Sequence, residues 1–125
     1  DTFIMTDISA DIYQRIKDYA EDHKYFNDKY RSIRFRLANT DTAESGTSSG
    51  EEATRYVKNL IEKKSFRFRC WDFGDYHRAI CSVYNNQFDL GEHLIEKGHT
   101  EYVTFWGAHP VWHDRYRKAS QRYGN

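Results

Sequence analysis

A guanidinium, two carboxylates and a hydroxyl lie close together in the stretch from Ile33 to Glu44. Arg34 and Arg36 occupy one face of an alternating run whose other face is Ile33, Phe35 and Leu37, the pattern of a half-buried strand. Asp41, Thr42 and Glu44 follow, and the chain then enters Ser45-Gly46-Thr47-Ser48-Ser49-Gly50, too small and polar to join a core. Charged groups of both signs therefore leave an anchored strand together and enter a loop. Oxygen donors of this kind suit a hard metal ion, and a guanidinium suits a phosphate. The same pattern also describes an ordinary polar strand end with a solvated loop, so the surrounding elements must decide between the two.

Those elements read as follows. Residues 8–19 admit two readings. Ile8, Ile12, Ile16 and Tyr19 recur at helical spacing after a Ser9 cap, whereas Ile12, Gln14 and Ile16 also permit a weak strand. Tyr25-Phe26, a turn at Asn27-Asp28-Lys29 and the run from Tyr30 to Leu37 predict a hairpin. Ala53, Tyr56, Val57, Leu60 and Ile61 form one apolar helical stripe, and Ser49 with Glu52 makes a capping box at its start. Residues 65–71 alternate cleanly and predict a strand, paired with 78–84 across a turn at 72–77. Asp89 caps a short helix from Leu90 to Lys97, Glu92 completes a second box, and Gly98 takes the position after its end. A last helix is expected with Pro110 in its first turn and Trp112, Tyr116, Ala119 and Tyr123 on its buried face. The order gives a small α+β domain and lacks the strand–helix alternation of a dinucleotide binder.

At 125 residues with one proline the chain forms one domain, its core bulk supplied by ten Tyr, eight Phe and three Trp. It holds no apolar run long enough to span a membrane. The sequence opens at Asp1 without a secretory hydrophobic stretch of its own, and a processed form is the expectation. The net charge is zero but unevenly placed. Residues 1–30 hold seven acids against four bases, a net of −3, which leaves +3 for the rest. Basic clusters stand at Arg31/Arg34/Arg36, Lys63/Lys64/Arg67/Arg69 and Arg115/Arg117/Lys118, an arrangement that fits either a polyanion or an ordinary mixed surface. Two cysteines exclude a four-cysteine zinc site. Cys70 and Cys81 fall roughly opposite one another in the expected hairpin, as a disulfide or as two core thiols.

The strand ending in Phe35-Arg36-Leu37, then Asp41-Thr42-Ala43-Glu44, a loop and a capped helix resembles the staphylococcal-nuclease (thermonuclease) family. Tyr76-His77-Arg78 matches the family's Tyr-x-Arg entering a strand, and Asp89 to Gly98 resembles its glycine-closed short helix. His113-Asp114-Arg115 matches the start of its terminal helix, so the resemblance covers roughly residues 16–123. It implies a small five-stranded OB-fold β-barrel with about three helices, residues 1–15 being an N-terminal extension. Two departures stand out. The family's Asp-Gly-Asp-Thr turn is replaced by Ala20-Glu21-Asp22-His23, where ungapped spacing puts Asp22 on the metal position with Glu21 and Asp18 as rivals. Ala43 stands where the family has proline.

What the resemblance implies about chemistry is specific. Asp22, Asp41 and the Thr42 carbonyl would hold one Ca²⁺ through oxygen atoms. Glu44 would be the general base, and Arg36 and Arg78 would clamp the phosphoryl oxygens. Tyr76 would bond a terminal phosphate. Tyr102 and Phe105 would stack bases or, equally, belong to the core. His109 and His113 mimic ligand spacing, but no partner completes a zinc set, so they are read as capping or surface residues. The expectation is a monomeric Ca²⁺-dependent nuclease leaving 3′-phosphate and 5′-hydroxyl ends on DNA or RNA, single strands preferred. A secreted or periplasmic location goes with it, and no membrane partner. The competing expectation is a catalytically reduced module that binds single-stranded nucleic acid or protein.

Overall fold

The computed structural model describes residues 2–42, 48–62, 64–73, 78–105 and 107–124. Eleven elements follow in order: β1 (Thr2–Met5), α1 (Ala10–Tyr19), β2 (Phe26–Asn27), β3 (Ser32–Leu37), β4 (Thr40–Thr42), α2 (Ser48–Ile61), β5 (Arg67–Phe73), β6 (Ala79–Tyr84), α3 (Leu90–Glu96), β7 (Thr100–Tyr102) and α4 (His113–Gly124). The mixed α+β class is as expected, with four helices in place of about three. The main sheet runs β1-β3-β6-β5, with β2 also pairing β3, and β4 and β7 form a separate two-stranded sheet. Among the described residues no helix is long and apolar enough to cross a membrane.

Strand β3 is the sheet's axis. Ile33, Phe35 and Leu37 are almost wholly buried while Arg34 is exposed, so the alternation read from sequence is the one the core uses. Removing three such side chains from water stabilises by roughly 1.5–3 kcal/mol each, enough to fix the register. On one side β1 runs antiparallel, with Thr2 level with Arg36 and Met5 level with Ile33. On the other, β6 runs parallel, with Arg36 level with Ile80 and Leu37 level with Cys81. The short β2 pairs Phe26 with Ile33, closing the expected hairpin, although β3 begins only at Ser32.

Several boundaries differ from expectation. Residues 10–19 are helical, and Tyr13 is the buried residue of that helix. Its hydroxyl donates to Asp28 (2.7 Å), which Lys17 also reaches (2.9 Å), so α1 is pinned to the hairpin turn. Burial, followed by the Asp28 contact, pushes the Tyr13 pKa up to about 12. Helix α2 starts at Ser48, which places Ser49 and Glu52 inside the helix and displaces the expected cap. Strand β5 lies two residues later than predicted. Helix α4 starts at His113 because Pro110, Val111 and Trp112 form a turn instead, and Tyr123 is exposed while Tyr116 and Ala119 are fully buried.

Helix α3 closes as read. Asp89 accepts the Glu92 N–H (2.9 Å), and Gly98, at φ +79°, follows a last turn in which Gly98 N–H and His99 N–H donate back to Ile95 and Leu94 carbonyls. Cys70 and Cys81 are register partners in the β5–β6 pair and form a disulfide, which decides between the two sequence readings. One residue further, β5 carries a bulge, so that Asp72 rather than Trp71 is level with Ile80.

Candidate active site

Arg36 projects from β3 on the face opposite the core, half-buried. Arg78 immediately precedes β6, two residues before Ile80, which is level with Arg36 on the adjacent parallel strand. Residues two apart share a face, which puts both arginines on the outer side of neighbouring strands. Arg34 stands on the same face, exposed.

After Leu37 the chain turns through Ala38 and Asn39. Asn39 is buried at φ +57°, a conformation Asn tolerates better than most side chains. Its amide donates to the carbonyls of Val103 (2.8 Å) and Gly107 (2.9 Å), and its own carbonyl accepts the Val103 N–H (3.1 Å). Thr40 is likewise buried and bonds back to Leu37. This clamp delivers Asp41 on β4, exposed, with its N–H donating to Thr100 Oγ1 (2.7 Å) and its side chain opposite Glu101 across the β4–β7 pair. Thr42 ends β4, opposite Thr100. Neither Asn39 nor Thr100 was singled out from sequence. A lone Asn at a turn and a lone Thr in a three-residue strand leave no pattern there.

Asp22 follows α1, and its carboxylate accepts the Lys24 N–H (2.8 Å). The strand that runs beside Arg36 is β1, whose Thr2 is level with it. Helix α1 occupies part of the interval that ungapped spacing treats as strand. Glu44, Tyr76 and His77 lie outside the described residues.

Tyr102 sits on β7, half-buried. Its hydroxyl accepts the His109 N–H (2.9 Å) and lies 2.7 Å from His113 Nδ1, and its ring packs edge-on against Tyr116. It is thus tied into the C-terminal layer, whereas Phe105 is exposed. His109 is almost wholly buried, which corrects the surface reading and leaves the capping one. Its Nδ1 accepts the N–H groups of Trp112 (2.9 Å) and Val111 (3.2 Å), so the proton of the neutral ring is on Nε2, 2.9 Å from Ser82 Oγ. Trp71 Nε1–H donates to the same oxygen (2.9 Å). Burial holds the His109 pKa down at about 4. Beside it, Tyr116 donates to Asp89. Burial raises the pKa of both groups. This buried chain of polar groups fastens α4 and the 107–112 turn to β5 and β6.

As a cation site the region offers oxygen only: the exposed Asp41 carboxylate, Glu101 opposite it and the backbone around Thr42. That donor chemistry fits a hard divalent ion. Among the described residues no cluster of three or more His, Cys, Asp or Glu is assembled.

The fold defines a class: small mixed α+β domains with helices about a sheet of several strands and a separate two-stranded sheet. A family model described as staphylococcal nuclease homologue matches residues 34–122, well over half of the chain, and the chain belongs to that family. The match begins at Arg34, so β1, α1, β2 and Asp22 lie upstream of it, while Arg36, Asp41, Thr42, Glu44, Tyr76, Arg78 and Tyr102 lie within it. No curated protein matches the chain significantly.

Proposed function

We propose that this domain is a Ca²⁺-dependent nuclease that hydrolyses phosphodiester bonds of DNA or RNA as a monomer, with single strands preferred. The observation that carries the reading is Arg36 on the outer side of β3 with Arg78 just before the adjacent parallel strand β6, and Asp41 just past the end of β3. A phosphodiester is already anionic, so attack by water requires that charge be offset and a proton removed. Arg36 and Arg78 donate paired hydrogen bonds to the non-bridging oxygens, and these bonds strengthen as charge grows in the five-coordinate transition state. Glu44 takes the proton of the attacking water. The new bond forms at phosphorus, the bond from phosphorus to the 5′ oxygen breaks, and that oxygen leaves as an alkoxide that takes a proton from solvent to become the 5′-hydroxyl. Asp41 and the Thr42 carbonyl would hold the cation, which supplies Lewis-acid neutralisation of the phosphoryl charge. Tyr76 bonds a terminal phosphate and Tyr102 borders the base.

For the remaining ligand, spacing to Arg36 assigns Asp22. Glu21 and Asp18 are rivals, and Asp1, which lies outside the described residues, is a further one because its sequence neighbour Thr2 pairs with Arg36. Calorimetric Ca²⁺ titration of Asp22→Asn, Glu21→Gln, Asp18→Asn and Asp1→Asn separates them, since only the true ligand weakens binding when changed. The activity itself is tested by incubating the chain with single-stranded DNA in Ca²⁺ and in chelator. Cleavage confined to Ca²⁺ and lost in Glu44→Gln and Arg36→Ala supports the reading. Binding without turnover favours the module that has lost catalysis, and unaltered cleavage by both variants overturns the mechanism.

A further inference from the structure

Strand β5 lies at the rim of the main sheet, with β6 on one side and, among the described residues, no strand on the other. The cysteine pair shows which backbone groups face that open side. Cys70 and Cys81 are register partners with Cα atoms 3.9 Å apart, the narrow kind of antiparallel pair that exchanges no backbone hydrogen bonds. The Cys81 carbonyl agrees, because it turns away from β5 and accepts the Ala38 N–H (2.8 Å). The N–H and C=O of Cys70 therefore point off the sheet, and so do those of Phe68, two residues back and level with Val83. Among the described residues no hydrogen bond reaches these four groups. They repeat at the two-residue spacing that an added antiparallel strand would meet.

A groove of about 430 Å³ continues this edge, between Ile12, Ile16 and Tyr19 of α1 and the β5 residues from Cys70 to Phe73. Cys70 and Phe73 turn inward and Asp72 outward, yet all three line it, so the groove flanks the strand and does not cover one face. Its α1 wall is apolar and open, with Tyr19 85% and Ile12 43% exposed. Arg67 and Arg69 stand exposed beside the edge, and among the described residues neither makes an ion pair. Arg69 is held in place, its guanidinium 4.5 Å from the centroid of the Trp71 ring. Arg15 adds a third cation at the groove, whereas the Asp72 carboxylate there accepts the Phe73 N–H (2.8 Å). These charges select what can pair. A second copy centred on Phe68 would set Arg67 of each chain against Arg69 of the other, which repels, and one centred on Cys70 would have to pair through the bulge. A strand with carboxylates opposite Arg67 and Arg69 is attracted instead. Phe68 and Cys70 would form the wide, hydrogen-bonded pairs with it, so Arg67 and Arg69 fall in narrow pairs, where facing side chains are closest. Its alternate side chains would turn inward beside Phe68, Cys70 and the apolar wall of α1.

We propose that the β5 edge and the groove beside α1 dock an extended segment of a partner protein in which apolar and acidic residues alternate, added antiparallel as a further strand. This is independent of the nuclease reading. The probe is a short blocked peptide of alternating valine and glutamate, with the valine–lysine peptide as its counterpart, each titrated into the full ¹⁵N-labelled chain. The glutamate peptide shifts the amide resonances of Phe68 and Cys70 and slows their exchange. The lysine peptide binds about tenfold more weakly, because two attractive cross-strand pairs become repulsive. Arg67→Glu/Arg69→Glu inverts that preference, a result that loss of fold cannot imitate, since an unfolded chain would bind neither. Methylating the valine nitrogens, which donate to the Phe68 and Cys70 carbonyls, lowers affinity at least about tenfold, whereas methylating the glutamate nitrogens, which face away, does not. Absence of shifts at Phe68 and Cys70, or equal affinity for the two peptides, overturns the proposal. So does a dimer formed through this edge, seen by sedimentation, that excludes the peptide.

Discussion

His109 provides a test of the buried polar layer with a sign and a size. In the folded chain burial of the ring holds its pKa down at about 4 against an ordinary 6.5. Between those pH values the unfolded chain binds a proton that the folded chain refuses. The unfolded state therefore holds more protons, and stability falls as pH falls through the window. The loss runs up to about 1.4 kcal/mol per pH unit, on the order of 3 kcal/mol across the whole window. In His109→Asn, Oδ1 takes the position of Nδ1 and accepts the same N–H groups but does not titrate. At pH 7 the variant loses the bond to Ser82 and some ring packing, and it is less stable by about 1–3 kcal/mol. As pH falls below 6.5 that gap should narrow, because only the unaltered chain has His109 to protonate. Urea unfolding followed by tryptophan fluorescence from pH 7 to 4.5 measures it, with Trp71 and Trp112 against the ring as reporters. Asp89 works in the opposite sense, since burial raises its pKa and favours the folded state on protonation, but it is common to both proteins and drops out of the difference. A constant gap across the window, or a His109 imidazole that titrates near 6.5 by NMR in the unaltered chain, refutes the reasoning.

Three further outcomes are expected. Asn39→Ala loses two bonds to buried or half-buried carbonyls and the tolerance for φ +57°, and should destabilise by about 2–4 kcal/mol in denaturant unfolding; Asn39→Gly should recover only the conformational part. Gly98→Ala should cost at least about 1 kcal/mol by thermal unfolding, because φ is +79° and the added methyl meets the Tyr123 ring. Tyr116→Phe removes a hydroxyl that donates to the buried Asp89 carboxylate and should cost about 1–3 kcal/mol, read from the urea midpoint at constant slope.

The parts of this molecule that were legible in sequence are those where one local pattern and the core agree. Ile33, Phe35 and Leu37 alternate because one face is buried, and the same alternation sends Arg36 outward. Asp89, Glu92 and Gly98 announce α3 because both its ends are capped within a few residues. Long-range requirements were hidden. Asn39 matters through partners 64 and 68 residues away. His109 caps the turn that follows it while its other nitrogen faces Ser82 in a strand 27 residues back. The Asp22 assignment rests on spacing to Arg36 alone, because the family's glycine turn has no counterpart at residues 20–23 and the family match begins only at Arg34. Residues 8–19 were ambiguous because Ile12 is only partly covered, so its spacing reported little about the fold.

The bulge in β5 has a consequence for how the outer face can change over time. Alternation makes most single-residue deletions in a strand ruinous, since every later side chain is turned over. Trp71 is exempt. Because Cys70 is level with Cys81 and Asp72 with Ile80, neighbours on β6, a chain lacking residue 71 would still place Cys70 inward, Asp72 outward and Phe73 inward. The sheet does not need the residue to keep its parity. What would disappear is the indole beneath Arg69 and the donor to Ser82. A single codon can thus add or remove the arginine platform while the core stays in register, so the reach of this surface can evolve separately from the fold that carries it.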